Sequence, residues 1–179
     1  MINKKKENIN YANNTKTFSM VYYPESHRDI KKIISQKKNF MSSDFEQISL
    51  KPGFMKHNGG LLFKSISENE YQFKTIITEN HLNAAGITHG GFISAVVDAG
   101  AGTAAHRTSG NSPCVTISLE LKFISAVKLG QELIGITKIQ KKTKSMVFLT
   151  CELKASNKIV ATASGVWKIL KLTGAGPGG

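Results

Sequence analysis

A histidine, two glycines and one carboxylate stand close together in HLNAAGITHGGFISAVVDAG, residues 81–100. Gly90 and Gly91 follow His89 directly, at a point where a helix is expected to begin, and they leave its first backbone N–H groups open. The start of a helix carries the positive end of its dipole, which binds an anion or the oxygen of a polarised carbonyl. Asp98 stands eight residues later among small apolar residues, where a carboxylate is costly unless it is hydrogen-bonded or used in chemistry. Together these residues predict acyl-transfer chemistry, in which a polarised carbonyl meets a base or a nucleophile.

The spacing of Gly90 and Asp98 predicts a second subunit. Eight residues of helix separate two positions by about 12 Å along the axis, so one carbonyl cannot contact both within one chain. Two such helices lying antiparallel about a two-fold axis would bring each glycine to the other chain's carboxylate and create two equivalent sites. We therefore expect an obligate homodimer or a dimer of dimers.

The elements around this stretch follow an α+β order. A helix is expected from about His89 to Arg107, and its glycines Gly100 and Gly102 cost helix stability unless other structure surrounds the helix tightly. Two strands precede it and four follow, and their short connections favour an antiparallel sheet around one central helix. The expected strands are residues 61–67, 71–78, 115–123, 132–140, 146–154 and 158–170. Helices are also expected in residues 26–40, with Ser26 as N-cap, and in FEQISL, residues 45–50.

The strand VTISLELKF, residues 115–123, has the clearest alternation in the chain. Strict alternation predicts that one face carries the large apolar side chains and that the other carries the polar ones. The predicted apolar face consists of Val115, Ile117, Leu119, Leu121 and Phe123. The predicted polar face consists of Thr116, Ser118, Glu120 and Lys122.

Composition limits the class of protein. The chain of 179 residues has a net charge of +12, and this excess is spread along the chain rather than gathered in one basic arm. Such a balance favours anionic partners, but no motif indicates a nucleic-acid surface, and no apolar run reaches the length of a membrane span. The N-terminus lacks the apolar stretch of a signal peptide, so we expect a cytoplasmic protein with no membrane or nucleic-acid partner. Cys114 and Cys151 have no metal-ligand spacing and are expected to be small buried hydrophobic residues.

The pattern H-x-N-x-x-G-x-x-H-G-G…D in residues 81–98, followed by VTISLELKFISAVKLGQEL, resembles the PaaI-like branch of the hotdog-fold thioesterases. The resemblance covers about residues 54–170. It implies a long helix wrapped by an antiparallel sheet, dimers that often pair into tetramers, and hydrolysis of acyl-coenzyme A to free acid and coenzyme A. No cofactor is implied, because coenzyme A enters as part of the substrate. The expected domains are an N-terminal extension, 1–50, a hotdog domain, 51–172, and a disordered tail, 173–179.

The resemblance also implies roles for individual residues. Asp98 corresponds to the carboxylate that activates water or attacks the carbonyl, and Gly90 to the glycine whose N–H polarises the thioester oxygen. Asn83 corresponds to an asparagine that binds and orients at the site, and His89 to the histidine before the glycine pair. Thr116 falls where relatives place a hydroxyl that positions water. Gly91 is expected to join Gly90 in binding the substrate.

Four lysines are candidates for the phosphates of coenzyme A, although a solvated charged hairpin is the favoured explanation for them. They are Lys138, Lys141, Lys142 and Lys144. Relatives often carry a glycine in the turn within KKTKS, near Thr143, and this chain has none. Elsewhere, Asn83 is also suited to a turn ahead of Gly86, and His81 with His89 lacks a third ligand for a metal site.

Two other functions compete with hydrolysis. A non-catalytic acyl-CoA sensor would use the same domain behind a DNA-binding module, and the basic segment 26–50 is compatible with one, although it predicts one helix rather than a helix-turn-helix. A dehydratase or hydratase on the same fold usually pairs a histidine with an acid in a different motif. Asp98 favours the thioesterase over both.

Overall fold

The computed structural model describes residues 44–171, all of which belong to one compact unit that spans Met41–Gly179. The helix predicted in residues 26–40 and the tail at 173–179 lie outside the described residues. The helical elements are α1 (Phe54–His57), a short 3-10 turn (Glu79–His81) and the long helix α2 (Gly90–Thr108). The strands are β1 (Glu46–Ile48), β2 (Leu61–Ser67), β3 (Glu70–Ile76), β4 (Cys114–Phe123), β5 (Glu132–Lys142), β6 (Met146–Ala155) and β7 (Lys158–Ile169).

The seven strands of the described region form one sheet in the order β1-β2-β3-β5-β6-β7-β4, and every neighbouring pair is antiparallel. Helix α2 packs against β2, β3, β4, β5, β6 and β7, so the sheet curves around it, as the α+β prediction required. The strands β1 and β4 lie at the two edges of the sheet. No helix within residues 44–171 is long and apolar enough to cross a membrane.

The small residues of α2 make room for large aromatic side chains of the sheet. A Cβ at Gly100 would lie 2.4 Å from the ring of Phe73, and a Cβ at Gly135 would lie 2.1 Å from the same buried ring. Trp167 is only 1% exposed and lies against Gly102, so it packs within the core. The glycines that weaken the helix locally are therefore compensated by close packing of aromatic rings.

The prediction of a short helix at residues 45–50 is wrong. Residues Glu46–Ile48 form an edge strand that pairs with β2, and Ser49 ends it with a φ of 63°. Two contacts anchor this strand, because Glu46 forms a 2.6 Å ion pair with Arg107 of α2 and the ring of Phe45 lies 4.7 Å from Lys64 Nζ. Pairing with an open sheet edge outweighed the local helical pattern. The sheet thus begins before residue 51, where the hotdog domain was expected to start.

Both cysteines are free thiols. Burial raises the pKa of Cys151 to about 12, and the same cause raises the pKa of the half-buried Cys114. Neither thiol is therefore ionised near neutral pH, and the described region leaves no role for a thiolate nucleophile.

Candidate active site

The first turn of α2 presents one open backbone donor. His89 is the N-cap of the helix, and its side-chain Nδ1 accepts a hydrogen bond from the Gly91 N–H at 2.8 Å. The next two N–H groups, of Phe92 and Ile93, donate to the His89 carbonyl at 3.0 and 3.2 Å. Within the described chain, no acceptor pairs with the Gly90 N–H. We call His89, Gly90, Gly91 and Phe123, whose ring lies beside Gly90, the donor end of the site.

Gly90 and Gly91 play different structural roles. A Cβ at Gly91 would lie 2.9 Å from Nδ1 of His89 and would displace the capping ring. A Cβ at Gly90 would meet only the Phe123 ring, at 3.4 Å from Cζ, which is an ordinary contact. Gly91 thus accommodates the cap, whereas Gly90 carries the free N–H. The expected second donor, the Gly91 N–H, is already bonded within the chain.

The carboxylate of Asp98 lies in the middle of α2 and is held by a threonine. The hydroxyl of Thr116 donates to Oδ1 of Asp98 at 2.6 Å. We call Asp98 and Thr116 the carboxylate end of the site. Asp98 is exposed rather than buried in the single chain. No other hydrogen bond of the described residues involves its side chain, so Oδ2 faces no protein donor.

A β-bulge in β4 brings Thr116 to the helix side of the sheet. Thr116 pairs with Trp167 and Ser118 pairs with Val166, so Ile117 has no partner on β7. Directly paired residues of an antiparallel sheet point to the same face, and buried Trp167 faces the helix. Strict alternation along residues 115–123 was therefore wrong, because an unpaired residue reverses the parity of the strand. After the bulge, three residues of β4 point to the same helix-facing side as Thr116: Leu119, Leu121 and Phe123.

Both ends of the site contact the edge strand β4, but at different points. Thr116 lies near its start beside Asp98, and Phe123 is its last residue beside Gly90. Gly90 and Asp98 themselves lie on one continuous helix, about 12 Å apart along its axis. The single chain therefore assembles each end separately and does not bring the two to one carbonyl.

Asn83 shapes the loop that precedes His89. Its Oδ1 accepts hydrogen bonds from Ala85 N at 2.9 Å and Ile87 N at 3.3 Å, and Gly86 follows with a φ of 72°. This is the turn role that its position before a glycine suggested. Its side-chain amide donates no hydrogen bond within the described chain, which leaves it available to a ligand.

His81, which the sequence suggested only as an unpromising metal ligand, fixes the other end of this loop. Its ring is buried and stacks on Phe92 at 3.7 Å between centroids. Nδ1 accepts from Thr78 N at 3.0 Å, while Nε2 lies 3.2 Å from the Asn58 carbonyl and is the donor in that pair. Burial lowers the pKa of His81, and the hydrogen bond to Asn58 only partly opposes this effect. The neutral imidazole thus holds the start of the loop to α1 and to the first turn of α2.

The four candidate lysines do not converge. Lys142 Nζ donates to the Thr108 carbonyl at 2.9 Å and so caps the negative end of α2. Lys141 and Lys142 line a surface cavity of about 540 Å³ together with Arg107. Lys138 lines a different cavity beside Glu70 and Glu152, and exposed Lys144 lies in the turn between β5 and β6.

The β5–β6 turn does not need the glycine that relatives often carry. The hydroxyl of Thr143 accepts from Met146 N at 2.9 Å and from Ser145 N at 3.3 Å. No residue of this turn has a positive φ. Among the residues that the structure covers, no three His, Cys, Asp or Glu side chains group closely enough to hold a metal ion.

Known proteins match the chain in both sequence and fold. The sequence pattern of the thioesterase superfamily matches residues 85–162. A Pseudomonas aeruginosa protein named as an esterase is 35% identical over 94 residues, which cover 52% of this chain and 70% of that protein. Human acyl-coenzyme A thioesterase 13 is 30% identical over 87 residues, 48% of this chain and 62% of the human protein.

The chain belongs to the thioesterase superfamily. Its fold agrees with that of zebrafish thioesterase superfamily member 2, with a TM-score of 0.62 and 20% identity over 68% of this chain and 90% of that one. A Streptococcus mutans protein bound to acetyl-CoA gives a TM-score of 0.61 at 17% identity, over 70% and 97% of the two chains. The hotdog fold and the class of thioester hydrolase are thereby confirmed.

The thioesterase match at residues 85–162 includes both ends of the site but begins after Asn83 and His81. Sequence reasoning missed two contributors to this site, Phe123 and His81. Phe123 was assigned only to a packing face, and its contact with Gly90 depends on the fold. His81 was considered only as a metal ligand, and its stacking on Phe92 also depends on the fold.

Proposed function

We propose that this thioesterase superfamily member hydrolyses acyl-coenzyme A thioesters to a free acid and coenzyme A, as a member of the PaaI-like branch. The observation that carries the proposal is the pairing of chemistries on one helix: an unpaired N–H at Gly90 and a carboxylate fixed by Thr116 at Asp98. The name of the human relative and the acetyl-CoA bound to the Streptococcus mutans protein support coenzyme A as the carrier group.

The reaction follows from what each group can donate or accept. The thioester oxygen accepts a hydrogen bond from the Gly90 N–H, which stabilises the negative charge that develops when the carbonyl carbon is attacked. Asp98 either takes a proton from the attacking water or attacks the carbon itself, and Thr116 holds its Oδ1 in place for either role. Collapse of the tetrahedral intermediate breaks the C–S bond, and the leaving sulfur takes up a proton. When water is the nucleophile, this step gives the free acid directly; when Asp98 is the nucleophile, it leaves a mixed anhydride on Asp98, which a water molecule then hydrolyses to the free acid and the carboxylate. A single turnover in ¹⁸O-labelled water, followed by mass spectrometry of Asp98, separates the two roles.

We propose that the protein dimerises through its edge strand β4. Its free edge spans ten residues, and Val115, Ile117 and Phe123 along it are 42%, 55% and 56% exposed. A long apolar edge of this kind favours pairing with a second strand. If two β4 strands pair antiparallel about an axis midway between Thr116 and Phe123, Phe123 of one chain meets the partner's Thr116. The same operation brings Gly90 towards the partner's Asp98, and it produces two identical sites.

Positive charge supports an anionic carrier. The chain carries a net charge of +12, and Arg107, Lys141 and Lys142 share one surface cavity. We propose that these groups attract the phosphates of coenzyme A, with Lys138 and Lys144 adding to the surrounding field. The proposed reaction uses water and the thioester alone and needs no resident cofactor.

Complementation between two inactive variants tests the shared site. Gly90→Pro removes the N–H and keeps the helix start, since proline is favoured at the first helical position and His89 before it is extended, with φ −63° and ψ 133°. Asp98→Asn removes only the acid. A mixed dimer contains one site with both defects and one with neither, so random mixing should restore about a quarter of wild-type thiol release. No recovery in a mixture shown by mass spectrometry to contain mixed dimers would contradict the shared site.

A further inference from the structure

Phe123 is the apolar group nearest to the open donor of the site. Its ring lies beside Gly90, with Cζ 3.4 Å and Cε1 3.6 Å from the position of a Cβ there. The residue pairs with buried Ala161 on β7, so it faces the helix side of the sheet. It nevertheless remains 56% exposed. A large aromatic ring is therefore left partly uncovered directly beside the N–H that the site offers to a carbonyl.

The apolar surface continues from Phe123 along β4. Leu121 and Leu119 follow on the same face, and both are partly buried and pack against the hydrophobic core. The residue before Gly90, His89, is exposed and carries a polar ring. The phenyl ring and the two leucines are therefore the apolar surface that β4 offers beside the donor.

We propose that Phe123 determines acyl-group specificity by packing against the first carbons of the acyl chain, so that the protein prefers apolar acyl groups of several carbons, or aryl groups, over acetyl. The inference rests on the proposed function, because it takes the carbonyl to be held by the Gly90 N–H. A carbonyl oxygen bonded there at about 2.9 Å places its substituents within reach of the ring. An apolar chain gains by covering this ring, whereas the polar carrier arm gains nothing there.

The loss caused by removing the Phe123 ring should grow with the length of the acyl chain, as far as the chain can contact the ring. Each methylene group that is removed from water contributes about a fourfold change in affinity, so loss of the ring should cost little for acetyl and roughly tenfold or more for octanoyl. Ile124 supplies a matched control. It is the next residue, it is 55% exposed, and its side chain is not in contact with the Cβ position of Gly90.

The experiment measures kcat/KM by thiol release for acetyl-, butanoyl-, octanoyl- and benzoyl-CoA with wild type, Phe123→Ala and Ile124→Ala. The expected result is a selective loss for octanoyl and benzoyl in Phe123→Ala and a flat profile of variant-to-wild-type ratios in Ile124→Ala. Circular dichroism and size-exclusion chromatography establish that each variant keeps its fold and oligomeric state. A Phe123→Ala ratio that is the same for all four esters, or a selective loss in Ile124→Ala as well, would overturn the inference.

A milder substitution, Phe123→Leu, tests the same inference if Phe123→Ala does not fold. Phe123→Leu keeps an apolar side chain but removes the aromatic plane, and it should lower kcat/KM for benzoyl-CoA more than for octanoyl-CoA. Equal losses for these two esters contradict packing of the acyl group on the ring. Failure of the proposed function has a different signature, because wild type would then release no thiol from any ester of the series.

Discussion

The donor end and the carboxylate end of the site are built in opposite ways. At the donor end, His89, Gly90 and Gly91 are consecutive, and a hydrogen bond between residues two apart defines which N–H is free. At the carboxylate end, Asp98 and Thr116 lie 18 residues apart on a helix and a strand, and a bulge at Ile117 brings them together. Apart from the ring of Phe123, the donor end is a local structure, whereas the carboxylate end depends on how α2 packs against β4.

This difference predicts different responses to substitution. A local structure is broken by changing one residue within it, and the rest of the fold is left largely intact. A contact between two elements depends on the register of the sheet, so the side chain at either end can be removed while its position is kept. The two ends can therefore be tested separately, and each test has a substitution that preserves the geometry.

The largest effect is expected from Asp98→Asn. It keeps the size of the side chain and its hydrogen bond with Thr116 but removes the base or nucleophile, so kcat on an acyl-CoA should fall by about 10³-fold or more. Thiol release at saturating substrate measures this loss. A variant that retains more than about a tenth of wild-type kcat would exclude Asp98 from the chemistry.

Gly90→Pro is the corresponding test of the donor end. Loss of one oxyanion donor typically costs about 10²–10³-fold in kcat. Gly90→Ala is the control, since it keeps the N–H and adds a Cβ at 3.4 Å from Phe123, and it should stay within about fivefold of wild type. Measurement of kcat for both variants separates the effect of losing the N–H from the effect of filling the space beside it. Equal losses in both variants would mean that the space, not the N–H, is needed.

Thr116→Val removes the hydroxyl that orients Asp98 and keeps the shape of the side chain. The carboxylate would then lose its 2.6 Å hydrogen bond, and kcat should fall by roughly tenfold. Thr116→Ser retains the hydroxyl and should recover most of the rate. Measurement of kcat for both variants tests the assignment, which is contradicted if serine restores nothing.

The same contrast explains what the sequence could and could not predict. The helix start and the two glycines depend on neighbours in the chain, so their pattern predicted α2 and an open N–H group in its first turn. The six strands after residue 60 were found because each is a short apolar-rich run with a turn or a helix on either side. Which of the two glycines is open was not predictable, because it depends on the rotamer of His89.

The face of β4 on which each residue lies and the pairing of the edge strand β1 were harder to predict. A bulge adds one residue without any marker in VTISL, so Thr116 was assigned to the wrong face of β4. The strand β1 was mistaken for a helix because its pairing partner, β2, lies more than ten residues away. Exposure of Asp98 likewise depends on what covers α2 and not on its immediate neighbours. Local chemistry was thus accessible from the sequence, whereas contacts between elements were not.

Gly91→Ala should act on stability more than on chemistry. Its Cβ would lie 2.9 Å from Nδ1 of His89, so the ring must move and the N-cap hydrogen bond is lost. The free energy of unfolding should fall by about 1 kcal/mol, in line with the loss of a helix cap. Chemical denaturation of Gly91→Ala beside Gly90→Ala measures this difference. Equal stability of the two variants would contradict the separate roles of the glycines.

The smallest expected effect concerns the pH dependence of stability at His81. Its pKa lies below 6.5 in the folded protein because burial disfavours the charged ring, while the unfolded chain has the ordinary value. As the pH falls through about 6.5 the unfolded state binds the proton first, so stability declines until the pH reaches the lowered pKa of the folded state. His81→Asn keeps an acceptor for Thr78 N without the titration, so its stability should change less between pH 7 and pH 5. Exposed His57 is the control, and His57→Asn should leave the wild-type slope unchanged in thermal unfolding followed by circular dichroism. If the stability of His81→Asn and that of His57→Asn change equally with pH, protonation of the buried His81 imidazole is not what lowers the stability of the protein at acidic pH.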